Sequence, residues 1–343
     1  MTEIRYVRHT FRGFDLQVGI THLSLEGAHP HILKIPDILA QQYSRDEIPC
    51  GLNYRAQQIA KDIKSNPNVI SDFSARRTYA TGRALALSLN QKKQYGIVTE
   101  PGVPVDNLVE NTEGDLVPPP EQERIEIGNA LREKAHKIAR KFLDNLGIHA
   151  ELKKLPNQPA NDLMSYYDLP SWLSPLATIV EMMCGFLKSP VYYLKRAGWP
   201  TIKNPQKLLQ QAIRVTALNL VIKFPFSPRL QPIVKGVAKY LLDGKNSLLI
   251  SHDEFIATFL RAFGLIDPLE IYPVGPLHQI VFHSHKEAFT VHEITYKSCP
   301  NGRMSTQPII KKLGTLDKST LLYWAMDAVT LERTPVGLVE ECF

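Results

Sequence analysis

Hydrophobic positions at both ends of this 343-residue chain form short apolar runs that alternate with longer stretches of helical spacing. Short runs that are apolar throughout are typical of strands buried on both faces. The predicted strands are 3–7, 69–70 and 247–251. The predicted helices are 51–64, 77–89, 230–242 and 254–263. This alternation indicates an α/β fold with a parallel sheet and right-handed crossovers.

The middle of the chain breaks the alternation. After three consecutive prolines at 118–120, the sequence shows helical patterns and loops only. The helices predicted there are 122–146, 169–187 and 207–222. We therefore predict a mostly parallel central sheet flanked by helices, with a helical cap subdomain at 121–226 inserted into a discontinuous core of residues 1–120 and 227–343.

The last part of the chain is predicted to pair antiparallel strands. Runs at 279–284 and 288–296 suit a hairpin, and the tail 302–343 shows one helical pattern, 316–328, and no motif. Six histidines could suggest a metal: His22, His29 and His31 in an early loop, and His283, His285 and His292 on the hairpin. The loop group has no acidic or cysteine partner at a diagnostic spacing, and alternation toward solvent accounts for the hairpin group. We predict no metal site.

Composition and charge narrow the possible partners. Hydrophobic residues make up 44% and charged residues 22%, as in ordinary soluble globular proteins. The net charge is +6, and the segment 188–242 holds ten basic residues and no acidic one. Such a surface attracts anionic small molecules, acidic lipid headgroups or nucleic acid. Nucleic acid ranks last because no binding motif accompanies the charge, and the run is also what the solvated helix faces of a cap would show.

The cysteines and the hydrophobic segments say little about compartment. Four widely spaced cysteines fit neither a zinc pattern nor a disulfide-dense scaffold, and they leave one or two bridges open: Cys50, Cys184, Cys299 and Cys342. No signal-peptide pattern precedes the first strand, so we expect a protein made without a leader or one whose leader is missing here. The apolar segment 172–187 is shorter than the ~20 residues of a membrane-spanning helix, which leaves a buried helix or a peripheral membrane contact.

The ends of the three predicted strands carry residues suited to phosphate chemistry. Arg8, His9 and Arg12 follow the first strand. Arg76 and Arg77 follow the second, and His252 and Asp253 follow the third. Because the carboxyl ends of neighbouring parallel strands open on one crevice, we expect these seven side chains to face each other.

Such a set can perform phosphoryl transfer without a metal. Guanidinium groups match the oxygens of a phosphate and keep their charge, so Arg8 and Arg12 with one of the paired arginines can hold it through the transition state. A neutral His9 nitrogen can attack phosphorus and form a covalent intermediate. Asp253 can protonate the leaving oxygen and then deprotonate the attacking water, which favours activity below neutral pH.

The same residues resemble the motifs of the histidine acid phosphatases, the acid phosphatase and phytase branch of the histidine phosphatase superfamily. The segment 8–12 resembles R-H-G-x-R, 77–82 resembles R-T-x-x-T-[GA], 252–253 resembles the later H-D pair, and 277–296 resembles the final hairpin. Ile48-Pro49-Cys50-Gly51 is similar to the start of the family's first long helix. The similarity covers roughly residues 3–90 and 228–297.

The resemblance implies a phosphoglycerate mutase-like α/β core and hydrolysis of phosphate monoesters with neither metal nor cofactor. His9 would be the phosphorylated nucleophile and Asp253 the proton donor. The phosphate pocket would be formed by Arg8, Arg12, Arg77 and His252. The resemblance also selects Arg77 over Arg76. Members of the family are mostly periplasmic or secreted.

Departures from the family pattern leave substrate and turnover open. Thr10 replaces the usual glycine, Gly13-Phe14 replaces a small residue and proline, and the helical segment has no counterpart we can align. A mutase fits less well because that branch takes its acid from an earlier glutamate. A binding protein that keeps the pocket without turnover is the alternative. The basic run leaves a phosphorylated lipid or inositol as a possible substrate, and the sequence does not determine the oligomeric state.

Overall fold

The computed structural model describes residues 2–9, 34, 52–63, 67–71, 76–92, 106–107, 119–159, 162–185, 188–199, 202–223, 231–300 and 304–325. The strands are β1 Glu3–Arg8, β2 Asn68–Ser71, β3 Asp106–Asn107, β4 Ser247–Ser251, β5 Gln279–Ser284, β6 Ala288–Ser298 and β7 Met304–Asp317. The α-helices are α1 Leu52–Asp62, α2 Arg76–Lys92, α3 Glu121–Asn145, α4 Leu173–Gly185, α5 Pro190–Arg196, α6 Pro205–Lys223, α7 Gln231–Leu242, α8 Asp253–Ala262 and α9 Lys318–Ala325. A 3₁₀ helix spans Leu163–Tyr167.

The described strands form one mixed sheet in the order β3-β2-β4-β1-β5-β6-β7. Strands β3, β2, β4 and β1 pair in parallel, and β1, β5, β6 and β7 pair antiparallel. All five residues of β4 are buried, as expected for a parallel strand covered on both faces. The α/β class is confirmed, but the expectation of a mostly parallel sheet holds for only one half of it.

The predicted helices and strands end within a few residues of the observed ones, and the tail helix predicted at 316–328 corresponds to α9, Lys318–Ala325. The strand before that helix was missed, since residues 304–317 form the long edge strand β7. Residues 307–312 are exposed without alternation and include Pro308. Exposed charge and proline are typical of an edge strand, and they remove the period-two pattern by which a strand is recognised.

The helix α5 was also absent from the sequence prediction. It is only seven residues long, too short for a helical hydrophobic pattern. Its start is fixed locally, because Ser189 accepts a hydrogen bond from the Tyr192 N–H and Pro190 occupies the first turn.

Packing of α6 joins the helical region to the sheet. One of its faces, including Leu208 and Ala212, lies in a hydrophobic cluster built from α3, α4 and α5. The other, with Leu209 and Ile213, packs with α1, α2 and the sheet residue Val7.

The division of the chain into a core and a cap at residues 121–226 stays a prediction. No helix within the described ranges combines the length and the apolar character that crossing a membrane requires.

Candidate active site

The carboxyl ends of β2, β4 and β1 lie side by side. Strand β4 pairs in parallel with both neighbours, so that Arg8 lies opposite Ser251 and Ser71 lies opposite Ile250. The His9 N–H continues the ladder by donating to the Ser251 carbonyl at 2.9 Å. The prediction that these strand ends share one edge of the sheet is therefore confirmed.

Arg8 is a buried cation at the centre of this edge, with 1% of its surface exposed. Its Nη2 lies 2.8 Å from Glu181 Oε1 and 3.2 Å from Asp253 Oδ2. Burial by itself lowers the pKa of Arg8, but the carboxylates of Asp253 and Glu181 outweigh it and raise that pKa above its ordinary value. The guanidinium is therefore permanently charged.

Two further nitrogens of the same guanidinium face no acceptor. Within the described residues, Arg8 Nε and Nη1 are buried and have no hydrogen-bond partner. Buried donors without an acceptor are costly and rare in native proteins. The Nε–H and Nη1–H bonds diverge in the planar guanidinium, so an oxygen of an anion would satisfy either donor together with the charge, and the arrangement indicates a ligand site for an oxyanion.

Two buried imidazoles lie beside this guanidinium edge. The rings of His9 and His252 are in edge-to-face contact, with centroids 5.1 Å apart and an angle of 71° between the planes. His252 has extended backbone at the N-cap of α8, but its side chain makes no capping hydrogen bond. The ring instead contacts Phe255, with centroids 5.6 Å apart. Strand pairing thus places His9, and the strand-to-helix turn places His252 against it.

Asp253 reaches the site because it is the first residue of α8. A carboxylate in the first turn of a helix is stabilised by the partial positive charge of the unpaired N–H groups. It is 5% exposed, and it contacts Arg8 through Oδ2. This contact with Arg8 joins the residues at the end of β4 and those at the end of β1 in one site.

The structure thus brings together four of the six predicted site residues: Arg8, His9, His252 and Asp253. Arg12, together with Thr10 and Gly13, lies outside the described residues. Arg77 is in the first turn of α2, and the position of its side chain lies outside the described part. The catalytic and binding roles of all six stay predictions.

Glu181 is the site residue that sequence reasoning missed. It comes from α4 in the helical region, is 4% exposed and forms the shorter of the two Arg8 contacts. The signal was present, since Glu181 is the one acidic residue in the otherwise apolar helix Leu173–Gly185. A buried carboxylate requires a cationic partner, so a lone acid in such a helix points to an arginine elsewhere in the chain.

The described residues do not provide a metal centre. They contain no group of three or more histidines, cysteines, aspartates or glutamates placed to hold an ion. On the hairpin, His283 and His292 have ring centroids 5.3 Å apart, while His285 is exposed. Cys184 is buried and Cys299 half-buried, and neither forms a disulfide with another described residue.

Comparison with known proteins adds evidence on the fold. No family model matches the chain, and no curated protein sequence matches it. Among solved structures it is similar to a phytase from Klebsiella, with a TM-score of 0.54 and 13% sequence identity over 94% of this chain and 93% of the phytase. At this identity the likeness establishes a shared fold.

Proposed function

We propose that this protein is a phosphomonoesterase, a hydrolase that cleaves phosphate monoesters at the edge formed by β1 and β4. One observation carries the proposal: a buried, charged Arg8 with unmatched donors lies next to the buried His9 and His252 rings and to the carboxylate of Asp253. The phytase-like fold and the histidine acid phosphatase motifs of the sequence support the same reaction.

In the first step, a nitrogen of neutral His9 attacks phosphorus while the ester oxygen leaves with its electron pair. Protonated Asp253 gives its proton to that oxygen, so an alcohol departs and His9 carries the phosphoryl group. Arg8 holds the equatorial oxygens, and His252 donates a further hydrogen bond. We expect Arg12 and Arg77 to complete this pocket.

In the second step, water attacks the phosphohistidine and Asp253 takes up its proton. The bond between phosphorus and His9 breaks, and inorganic phosphate is released with the enzyme restored. No metal or cofactor enters either step. Because Asp253 must be protonated at the start, we expect the highest activity on the acidic side of neutral.

The substrate class we propose is a small phosphate monoester. The fold neighbour is named a phytase, and exposed cations of the run at 188–242, such as Lys195 and Arg196, favour a substrate with further negative charge. A phosphorylated inositol or lipid headgroup has this chemistry. Peripheral contact with a membrane belongs to the lipid case and would require such a substrate.

Hydrolysis of an aryl phosphate across pH 4 to 8 tests the proposal. We expect His9→Ala to abolish turnover and Asp253→Asn to lower kcat by about 10²–10⁴-fold for an alkyl ester. The loss for Asp253→Asn should be much smaller with an aryl ester, because a phenolate leaves without a proton. His283→Ala and Asp243→Asn are matched controls outside the site and should keep full activity.

The alternative function, a phosphate-binding protein without turnover, predicts a different result. It predicts that the wild-type protein binds orthovanadate or phosphate but hydrolyses neither aryl nor alkyl esters at any pH. That outcome would refute the enzymatic proposal and leave the binding site intact. Trapping of labelled phosphate on His9 after acid quenching would exclude the alternative.

A further inference from the structure

A cavity of about 640 Å³ lies between the helical region and the antiparallel half of the sheet, apart from the candidate active site. Its walls are α6 on one side, β6 and β7 on the other, and the loop 273–278 at the base. This volume is within the range of small-molecule sites. None of the proposed catalytic residues lines it, so the catalytic mechanism gives this cavity no role.

The cavity walls are strongly cationic. Lys207 and Arg214 come from α6, Lys297 from β6 and Lys311 from β7. All four are exposed to solvent, and the one carboxylate in the lining is Glu293. Cations that converge from three elements onto one concave surface concentrate anions there.

The carboxylate of Glu293 already has two polar partners behind the wall. The Tyr272 hydroxyl donates to Glu293 Oε1 at 2.6 Å, and His278 Nε2 lies 3.2 Å from the same oxygen. Desolvation raises the pKa of Glu293, but the hydrogen bond and charge of His278 outweigh this and lower the pKa overall. The carboxylate is therefore ionised and held toward His278 and Tyr272, and the four cations outnumber this one negative charge in the described lining.

One buried nitrogen of a lining residue, His278, has no hydrogen-bond partner among the described residues. His278 is 1% exposed, and its Nδ1 has no hydrogen-bond partner within the described residues. Such atoms are unusual in native structures and commonly mark a site that is completed by a ligand or water. This atom is a further unsatisfied polar group in the wall of the cavity, beside the four cations.

The loop at the base also supports the catalytic strand. The His278 carbonyl accepts a hydrogen bond from the Arg8 N–H at 2.9 Å, and the Leu277 N–H donates to the His9 carbonyl at 3.4 Å. Leu277 has a φ of +56°, which is unfavourable for a branched side chain and shows that the loop is held by its surroundings. A ligand in the cavity would therefore press on residues that position Arg8 and His9.

We propose that this cavity is a second anion-binding site, which takes a small polyanion with at least two phosphate or carboxylate groups and is coupled to the phosphate pocket through the loop 273–278. A ligand with two or more charged groups would engage cations on α6 and on β7 together. Binding at this site is independent of turnover, so the proposal goes beyond the phosphatase reaction and stands or falls separately from it.

Calorimetric titration with methylenediphosphonate tests the site, because this probe has two charged groups and no bond that a phosphatase cleaves. The pocket variant is Lys207→Glu with Lys311→Glu. The control with the same change in charge is Lys223→Glu with Lys286→Glu, at the far end of α6 and in the turn between β5 and β6. We expect the pocket variant to bind about tenfold or more weakly and the control to bind within about twofold of wild type.

Equal losses in both double variants would overturn the proposal, since the charge effect would then be general. Absence of binding to the wild-type protein would overturn it as well. Unfolding midpoints of the two variants should match, which separates lost binding from lost structure. Hydrogen exchange gives a second readout: the probe should slow exchange in the loop 273–278, and protection confined to residues 8–9 would place the probe in the phosphate pocket and refute the second site.

Discussion

Replacement of Glu181 by glutamine is expected to destabilise the ligand-free protein and to strengthen its binding of phosphate. The carboxylate lies 2.8 Å from Arg8 Nη2, and both side chains are almost fully buried. Glutamine keeps the size and an acceptor oxygen but removes the negative charge. In the absence of a ligand, Arg8 then has only Asp253 as an ionic partner among the described residues.

The two effects have opposite signs and can be estimated. Loss of the charge from one partner of a buried ion pair costs about 1.5–3 kcal/mol of unfolding free energy. A phosphate bound to Arg8 through Nε or Nη1 would lie roughly 6 Å from the Glu181 carboxylate, where each pair of unit charges repels by about 3 kcal/mol at an effective dielectric constant of 20. Partial compensation by solvent and neighbouring groups reduces this, so we expect phosphate to bind about 10–100-fold more tightly.

The assay is inhibition of aryl phosphate hydrolysis by orthovanadate or phosphate, together with urea unfolding of the ligand-free protein. The control is Glu121→Gln, which removes a carboxylate that is 58% exposed and paired with Arg124 at 2.8 Å. Because the Glu121 carboxylate is exposed, the pair is worth about 0–1 kcal/mol, and the inhibition constant should not change. If Glu181→Gln binds phosphate as wild type or more weakly, Glu181 serves to orient Arg8 and the electrostatic reasoning is refuted.

Two further predictions concern stability. The pKa of Glu293 is lowered in the folded protein, so its ionised form contributes stability that is present above about pH 4.5 and lost as pH falls through the folded pKa. The urea midpoints of Glu293→Gln and wild type should therefore differ at pH 7 and converge toward pH 3. A difference that stays constant with pH would contradict this. Gly128→Ala should lower the unfolding free energy by about 1–3 kcal/mol, because a Cβ there would lie 2.8 Å from the carbonyl carbon of Tyr166. An unchanged thermal midpoint would show that α3 and the 3₁₀ helix can separate freely.

Much of the site could be predicted because its parts are local. Arg8 and His9 follow an apolar run, and His252 and Asp253 follow another, so each pair could be placed at a strand end from the sequence alone. The expectation that the ends meet depended on the strands being parallel neighbours. The observed sheet satisfies it because β4 lies between β2 and β1.

The pairing of Glu181 with Arg8 and the cavity beside α6 could not be found in this way, because they depend on how distant elements pack. Nothing in the pattern of α4 indicates that its carboxylate meets the end of β1. The cavity is formed by cations from α6, β6 and β7, which lie far apart in the sequence. A basic run in a sequence shows that positive charge is present, but not whether the folded chain places those residues on one concave surface.

The sequence by itself determined the succession of strands and helices and the residue types at two strand ends, because hydrophobic period and helix-start signals act over about 10–20 residues. The tertiary structure decided the remaining features. Half of the sheet is antiparallel, and β7 lies at its edge, where exposed residues lack the period-two hydrophobic pattern. Arg8 is paired with Glu181. These features follow from burial and charge neutralisation between segments that meet only in the folded chain, where a buried guanidinium must find a carboxylate wherever packing brings one.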